Sequence, residues 1–224
     1  MGITMFNDRD EAGRMLAERL RGAALHEPLV LAIPRGGVEV GAALARGLGC
    51  ELDVVLSRKL RAPHQPELAL GAVSETGEVY LNAFAAAVAD AAFIEAERRR
   101  QMEEIARRRT MFRAVRPQAE VRGRTVIVTD DGIATGATMI AALKTVRSAG
   151  AQEVIVAVPV GSPDRMATLR PMCDRSECLL EPDEFLAVGQ FYRHFEQVSD
   201  ERVVELLRAC GAPPPLPRSR CITP

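Results

Sequence analysis

Hydrophobic positions along this chain recur with two different periods, and the changes of period mark its elements. Ala12, Met15, Leu16 and Leu20 follow at helical intervals behind Asp8 and Glu11, which have capping-box spacing, so the pattern predicts a first helix over 9–21. Leu29, Val30, Leu31, Ala32 and Ile33 then form a short apolar run closed by Pro34, Arg35, Gly36 and Gly37, and Val38, Ala42, Ala43 and Leu44 resume the helical period. This is strand, tight loop, helix. A second strand is predicted from Leu52 to Ser57, followed by a polar stretch whose Pro63 and Pro66 exclude a continuous helix.

Further on, 68–73 and 78–81 read as a hairpin turning at Glu75, Thr76 and Gly77, and 82–114 as one long helix or two shorter ones. The pairs Glu103/Arg107 and Glu104/Arg108 stand one helical turn apart in the favourable orientation. Thr125, Val126, Ile127, Val128 and Thr129 form a β-branched run of the kind buried on both faces of a parallel sheet. An amphipathic helix over 138–148 follows, with Gly150 suited to a left-handed cap. Residues 154–160 repeat the buried-strand signature, and Cys178, Leu179 and Leu180 give a weaker one. Strands alternating with helices imply an α/β fold whose ligands lie at the carboxyl ends of the strands.

Composition narrows the function classes. The 224 residues, 47% hydrophobic, suffice for one sizeable core and a decoration. With 29 Lys+Arg against 30 Asp+Glu, the formal net charge of −1 gives no global attraction to nucleic acid or an anionic membrane, so any bound anion must be captured locally. The runs Arg98–Arg99–Arg100 and Arg107–Arg108–Arg109 are interleaved with glutamates, as on a solvated helix face. The five cysteines have no paired spacing and read as reduced thiols. No leader-like or membrane-spanning stretch is evident, so the expected location is the cytoplasm, with no nucleic-acid or membrane partner.

The segment that carries chemistry is Asp130, Asp131, Gly132, Ile133, Ala134, Thr135, Gly136, Ala137 and Thr138, directly behind the buried strand. Thr135 to Thr138 offer successive N–H groups at a helix start, where the helix end acts as roughly half a positive charge and suits a phosphate. Two neighbouring carboxylates would repel that phosphate, but they can accept hydrogen bonds from the paired hydroxyls of a ribose. Sugar and 5′-phosphate could thus be read by one loop. Pro34–Arg35–Gly36–Gly37 also sits at a strand end, and its guanidinium fork and close N–H groups suit a diphosphate. Neither a Walker loop nor the dinucleotide fingerprint occurs.

The run from Val126 through Asp130 and Asp131 to Thr138 resembles the phosphoribosyl-pyrophosphate motif of type I phosphoribosyltransferases. The segments 6–13, 58–60, 66–73 and 187–192 are similar to an uncharacterised predicted subgroup of that family. The resemblance implies a type I phosphoribosyltransferase-like α/β fold: a mainly parallel central sheet flanked by helices, with a small hood. It implies one domain over 1–210, with a mobile loop, hairpin and helical insertion over about 60–120 and a C-terminal hood segment over about 178–207. The Pro-rich 211–224 reads as a disordered tail. In the family a mobile loop brings a basic residue over the pyrophosphate, which makes Arg58 and Lys59 candidates at the end of the second strand. The catalytic set is then Asp130, Asp131, Arg35 and Lys59, and Gly36, Gly37, Arg58 and 132–138 complete the substrate-binding set.

The implied reaction transfers the phosphoribosyl group of phosphoribosyl pyrophosphate to a nitrogenous acceptor and releases pyrophosphate, a pentosyl transfer with Mg²⁺ carried largely by the substrate. No Cys/His cluster proposes a protein-held metal. Ala134 stands where 6-oxopurine-specific relatives carry an acid, which disfavours that acceptor class and leaves adenine-like and orotate-like ones open. Phe185, Phe191 and Tyr192 are hood aromatics able to stack on a base, although in a chain only 4% aromatic core packing is the commoner role. A non-catalytic ligand sensor of the same fold, a hydrolase of a related phosphorylated sugar, and homo-oligomerisation stay open at this point.

Overall fold

A computed structural model of the chain describes residues 5–210. In chain order the elements are α1 (Arg9–Leu20), β1 (Leu29–Ala32), α2 (Gly36–Leu48), β2 (Glu51–Val54), β3 (Ser57–Ala62), β4 (Gln65–Ser74), β5 (Val79–Leu81), α3 (Ala85–Val88), α4 (Ala91–Arg113), β6 (Thr125–Thr129), α5 (Ala137–Ser148), β7 (Glu153–Val160), α6 (Pro163–Leu169), β8 (Arg175–Leu180) and α7 (Asp200–Ala209). The proposed tail over 211–224 lies outside the described residues.

The central sheet has the order β2-β1-β6-β7-β8, with every neighbouring pair parallel. From β1 the chain moves to β2 on one side, whereas β6, β7 and β8 extend on the other. The order therefore reverses between β1 and β6, and such a switch point opens a crevice beyond the carboxyl ends of the two strands. β3, β4 and β5 form a separate antiparallel sheet.

Alternation along each central strand divides its side chains between two cores. Val30, Ala32, Ile127, Ile155 and Ala157 belong to the cluster built with Leu16, Leu44, Val203 and Leu206 of α1, α2 and α7. Leu29, Leu31, Val126, Val128, Val154 and Val156 belong to the one built with Met139, Leu143, Val146 and Leu169 of α5 and α6. Both faces are thus covered, which is why these strands read as unbroken apolar runs. Each fully buried Val, Leu or Ile contributes roughly 1.5–3 kcal/mol.

The expected α/β architecture is present, with local corrections. Asp8 caps α1 by accepting from the Glu11 N–H at 2.8 Å, but the Glu11 carboxylate receives Asn7 rather than completing a capping box. Gly150, at φ 84°, follows α5 as expected. The anticipated strand from Leu52 to Ser57 is two strands in different sheets: β2 ends at Val54, and β3 begins at Ser57. Arg58 and Lys59 consequently lie on a paired strand opposite Val73 and Ala72, not in a loop. Their charges hide the strand in the sequence, and a bulge beyond Leu60 breaks its alternation.

The stretch 82–114 resolves into α3 and α4. Helix α4 buries Glu97, Gln101, Ile105, Arg108 and Phe112, a stripe at proper helical spacing but mostly polar. Arg107 pairs with Glu104 at 2.8 Å and with Asp200, not with Glu103, whereas the expected Glu104/Arg108 pair forms at 3.0 Å. Helices α6 and α7 have no counterpart among the elements expected from the sequence.

Helices α1 and α2 meet closely at Gly13. A β-carbon there would run into the Val40 carbonyl oxygen and stand 2.7 Å from Ala43 Cβ. Gly13→Ala would gain roughly 0.8–1 kcal/mol of helix propensity, but overpacking against backbone costs about 1–3 kcal/mol. The expected outcome is a net loss of stability, seen as a lower urea midpoint at unchanged slope; an equal or higher midpoint would show that the helices separate freely.

Candidate active site

Strands β1 and β6 are hydrogen-bonded neighbours, with Ala32 opposite Thr129, and the ladder continues one step further as the Ile33 N–H donates to the Thr129 carbonyl at 2.9 Å. The chain leaving β1 as Pro34–Gly37 and the chain leaving β6 as Asp130–Asp131 therefore emerge side by side. Their contact is close enough to require glycine. A β-carbon on Gly36 would collide with the Asp131 carboxylate, and one on Gly37 would lie 2.8 Å from Asp130 Cα. The Pro34–Arg35 peptide bond is cis.

Beyond the acids, the Ile133 N–H is used by the Val160 carbonyl at 2.8 Å, which pins the loop to the end of β7. Gly136 is left-handed at φ 77° and sets the start of α5. The first-turn N–H groups of α5, at Ala137, Thr138 and Met139, lie too early in the helix for an intrahelical carbonyl. The Thr135 hydroxyl oxygen is buried without a hydrogen-bond partner, an orphaned group that an anion seated on the loop would satisfy. Ser57 of β3 donates to the Thr138 carbonyl at 3.0 Å and ties the second sheet to this helix end.

A cleft of about 290 Å³ opens at the strand ends. Asp130 and Asp131 form part of its wall together with Arg35, Arg58, Lys59 and Arg61, and Thr138 closes one side. Gly132 to Ala137 lie outside this lining. Arg58 reaches back to Gln101 of α4 at 2.9 Å, and burial, together with Arg108, Arg61 and Arg35, pushes its guanidinium below the ordinary value. Cations crowded around two acids have a surplus of positive charge that an anion can neutralise. Two larger hollows, of about 560 and 550 Å³, lie away from the strand ends; the first shares Arg9 with the site and the second shares Arg61.

The acids are electrostatically unequal. Burial, reinforced by the neighbouring Asp131 charge, pushes Asp130 well above the usual carboxylate range. Burial also raises Asp131, but Arg9 opposes it through both its charge and a hydrogen bond. Arg9 Nε donates to Asp131 Oδ2 at 2.9 Å, and the Tyr192 hydroxyl donates to the Asp131 carbonyl at 2.7 Å. The C-terminal segment thus holds the loop from behind.

Of the predicted residues, Arg35, Gly36, Arg58, Lys59, Asp130, Asp131 and Thr138 line one cleft and Gly37 packs against Asp130, whereas 132–137 are not part of that lining. Phe191 and Tyr192 are buried against Phe6, with Tyr192 and Phe6 ring centroids 5.3 Å apart, so they fill a core and offer no open face to a base. Phe185 packs against Phe191 in a tilted arrangement, ring centroids 5.4 Å apart. His64 sits at the exposed β3–β4 turn. Sequence reasoning missed Arg9, Arg61, Gln101 and the Tyr192 hydroxyl. The 6–13 segment contributed to the family resemblance, yet nothing in its spacing linked Arg9 to an acid 122 positions away.

Residues 5–194 match the phosphoribosyl transferase domain family. The Mycobacterium tuberculosis H37Rv protein named "Putative phosphoribosyl transferase Rv0571c" is 44% identical over 207 residues, covering 92% of this chain and 47% of the relative. This chain therefore spans about half the length of that curated relative. The crystal structure of TT1426 from Thermus thermophilus superposes with a TM-score of 0.78 at 46% identity, covering 92% of this chain and 99% of that one. A hypothetical protein from Neisseria gonorrhoeae, solved with bound ppGpp, shares the fold at a TM-score of 0.52 and 15% identity, covering 93% and 98%. With the family match running from before α1 to beyond β8, the chain belongs to the phosphoribosyl transferase domain family.

Proposed function

We propose that this chain binds phosphoribosyl pyrophosphate with Mg²⁺ in the cleft at the ends of β1 and β6 and transfers its phosphoribosyl group to a nitrogenous acceptor, releasing pyrophosphate. The observation that supports this most strongly is the direct packing of Gly36–Gly37 on Asp130–Asp131, in a cleft whose remaining wall carries Arg35, Arg58, Lys59 and Arg61. In this reading, Asp130 and Asp131 accept hydrogen bonds from the ribose hydroxyls. The start of α5, with Thr135 and Thr138, takes the 5′-phosphate. Arg35 and Lys59 stand over the pyrophosphate, with Arg58 and Arg61 completing the positive wall.

The chemistry asks little of the protein beyond placement. The bond from C1 to pyrophosphate breaks as a bond to the acceptor nitrogen forms, through a transition state with positive charge on the sugar and negative charge on the departing oxygens. Rigid acids near the ribose and cations near the diphosphate stabilise both ends. Among the described residues no group of three or more His, Cys, Asp or Glu side chains could cage a metal. Mg²⁺ keeps several waters and is held mainly through substrate phosphates; when bound it would neutralise phosphate charge. Ala134 is exposed in the loop and supplies no acid to the acceptor, so the acceptor must lose its proton to another group. No helix among the described residues is long and apolar enough to cross a membrane.

Removing a hydrogen bond to a charged group costs about 1.5–3 kcal/mol, so Asp130→Ala and Asp131→Ala should each weaken binding by roughly ten- to a hundredfold. Calorimetry with phosphoribosyl pyrophosphate and Mg²⁺ measures this, and equal affinity in all three proteins would overturn the site. Incubation with a panel of heterocycles then separates functions: pyrophosphate release that depends on one acceptor marks a transferase, whereas tight binding with no release for any acceptor marks a sensor.

A pH prediction follows from the raised acids. Raised carboxyl values in the folded state mean that the fold favours the neutral forms, so the pair's contribution to stability is largest in acid and is lost as the pH rises through the raised values. Asp130→Asn removes one titrating partner. The variant should gain stability relative to the wild type as the pH is raised from 4 to 8, in paired urea titrations of the ligand-free protein. A difference independent of pH would show that the acid pair is not buried together.

A further inference from the structure

We propose that Arg9, which lies outside both ligand-binding loops, is a positioning residue of this site: through Asp131 it fixes which of the two neighbouring acids stands ionised and aimed to accept the sugar's hydroxyl protons. The inference rests on the reading of the cleft given above and adds a division of labour within the acid pair.

Arg9 is the first residue of α1 and is only 6% exposed, far from the usual surroundings of an arginine. Its guanidinium is committed on several sides. Nε donates to Asp131 Oδ2 at 2.9 Å, and Nη1 donates to the Glu196 carbonyl at 2.9 Å and faces Glu39 at 3.6 Å. Its Cζ lies over the Phe195 ring, 3.8 Å from the centroid, with the Tyr192 ring centroid 6.0 Å away. Phe195 and Tyr192 are themselves stacked, with centroids 5.0 Å apart, so the cation sits against an aromatic wall that limits its tilt. The wall is in turn joined to the loop, because the Tyr192 hydroxyl holds the Asp131 carbonyl. A carboxylate held at one oxygen by a fixed fork, and at its own backbone by a second hydrogen bond, has little freedom to turn. Asp131 nonetheless belongs to the wall of the cleft.

Asp130 has no such partner. Its Oδ1 accepts the Asp131 N–H at 2.8 Å, and its nearest cations act at longer range. The charged and titratable groups around the pair are Arg9 from α1, with Glu39 from α2 beyond it, Arg58, Lys59 and Arg61 from β3, Arg35 from the loop after β1, the Tyr192 phenol from the C-terminal segment, and each acid itself. Among them Arg9 alone makes a hydrogen-bonded ion pair with either acid. Two recessed carboxylates in contact do not ionise equally, and the fixed cation selects Asp131. A guanidinium suits this better than an ammonium, because its fork serves an acid and a carbonyl at once and its flat face stacks.

The test uses the full chain and reads the acid itself as well as the ligand. In the ligand-free protein, carbon-detected NMR follows the aspartate side-chain carboxyls as the pH is varied, and the Asp131 signal is the one missing from Asp131→Asn. Arg9→Gln should move the Asp131 midpoint upward by about 1–3 pH units, the range an opposite charge at this distance typically controls. Calorimetry with phosphoribosyl pyrophosphate and Mg²⁺ should show at least tenfold weaker binding near neutral pH, recovering as the pH is raised. Arg9→Lys keeps the charge but not the fork, so its midpoint should stay near the wild type while affinity falls several-fold; it also decides the matter if Arg9→Gln does not fold. An unmoved midpoint in Arg9→Gln, or unchanged affinity and midpoint in Arg9→Lys, overturns the inference. If the wild type fails to bind the ligand, the proposed function falls, while the carboxyl titration still decides the role of Arg9.

Discussion

The structure depends on one adjacency: β1 and β6 are paired at the centre of the sheet, in register to their last residues, so the two chains leave it side by side. Everything chemical is a consequence of that spacing. Gly36 and Gly37 carry no side chains because the backbone they belong to rests on Asp130 and Asp131. A sheet in which another strand separated these two would hold the same motifs and have no common cleft. Strand order, set by the burial of two apolar faces, thus precedes any property of the loops.

That adjacency creates an electrostatic debt. Two carboxyls are brought together in a recess, where each disfavours ionisation of the other. The fold answers with cations from three directions: Arg9 from α1 behind the loop, Arg35 from the chain leaving β1, and Arg58, Lys59 and Arg61 from β3 across the cleft. The two sheets are therefore not independent decorations. The smaller one delivers the positive wall, and α4 holds it there through Gln101 and Glu97, which engage Arg58 and the Arg61 N–H.

This arrangement explains which parts could be read from the sequence. Strands β1, β6 and β7 are buried on both faces, so their apolar runs are plain, and the loops after β1 and β6 stand out because small and acidic residues interrupt those runs. Strand β3 is invisible for the opposite reason: it faces a polar cleft and the polar stripe of α4, so Arg58, Lys59 and Arg61 replace the alternation that would have announced it. Helix α7 is ten residues long, with its own apolar contacts split between Val203, Leu206 and Leu207, and the irregular segment before it draws attention to its aromatics instead. Those aromatics, Phe185, Phe191 and Tyr192, read as candidates to stack on a base, pack instead against one another, Phe6 and Phe195, and it is Phe195 that lies against Arg9.

Arg9 shows why the last component of a site is the hardest to see. Each link in its environment is ordinary in sequence: an arginine in a capping turn, a phenylalanine and a tyrosine near the C-terminal end, an aspartate after a strand. The contact exists only because α1 packs on α2 through Gly13 while the 191–196 segment folds back along Phe6, with the Phe6 N–H on the Phe191 carbonyl at 2.8 Å. Charge burial then makes the contact consequential. An arginine at the surface would scarcely affect a neighbouring acid, but one sealed between an aromatic wall and a carboxylate cannot be removed without leaving Asp131 to face Asp130 with far less opposing charge. The residues proposed to bind are legible because local chemistry selects them; the residue proposed to position them is selected by the tertiary fold.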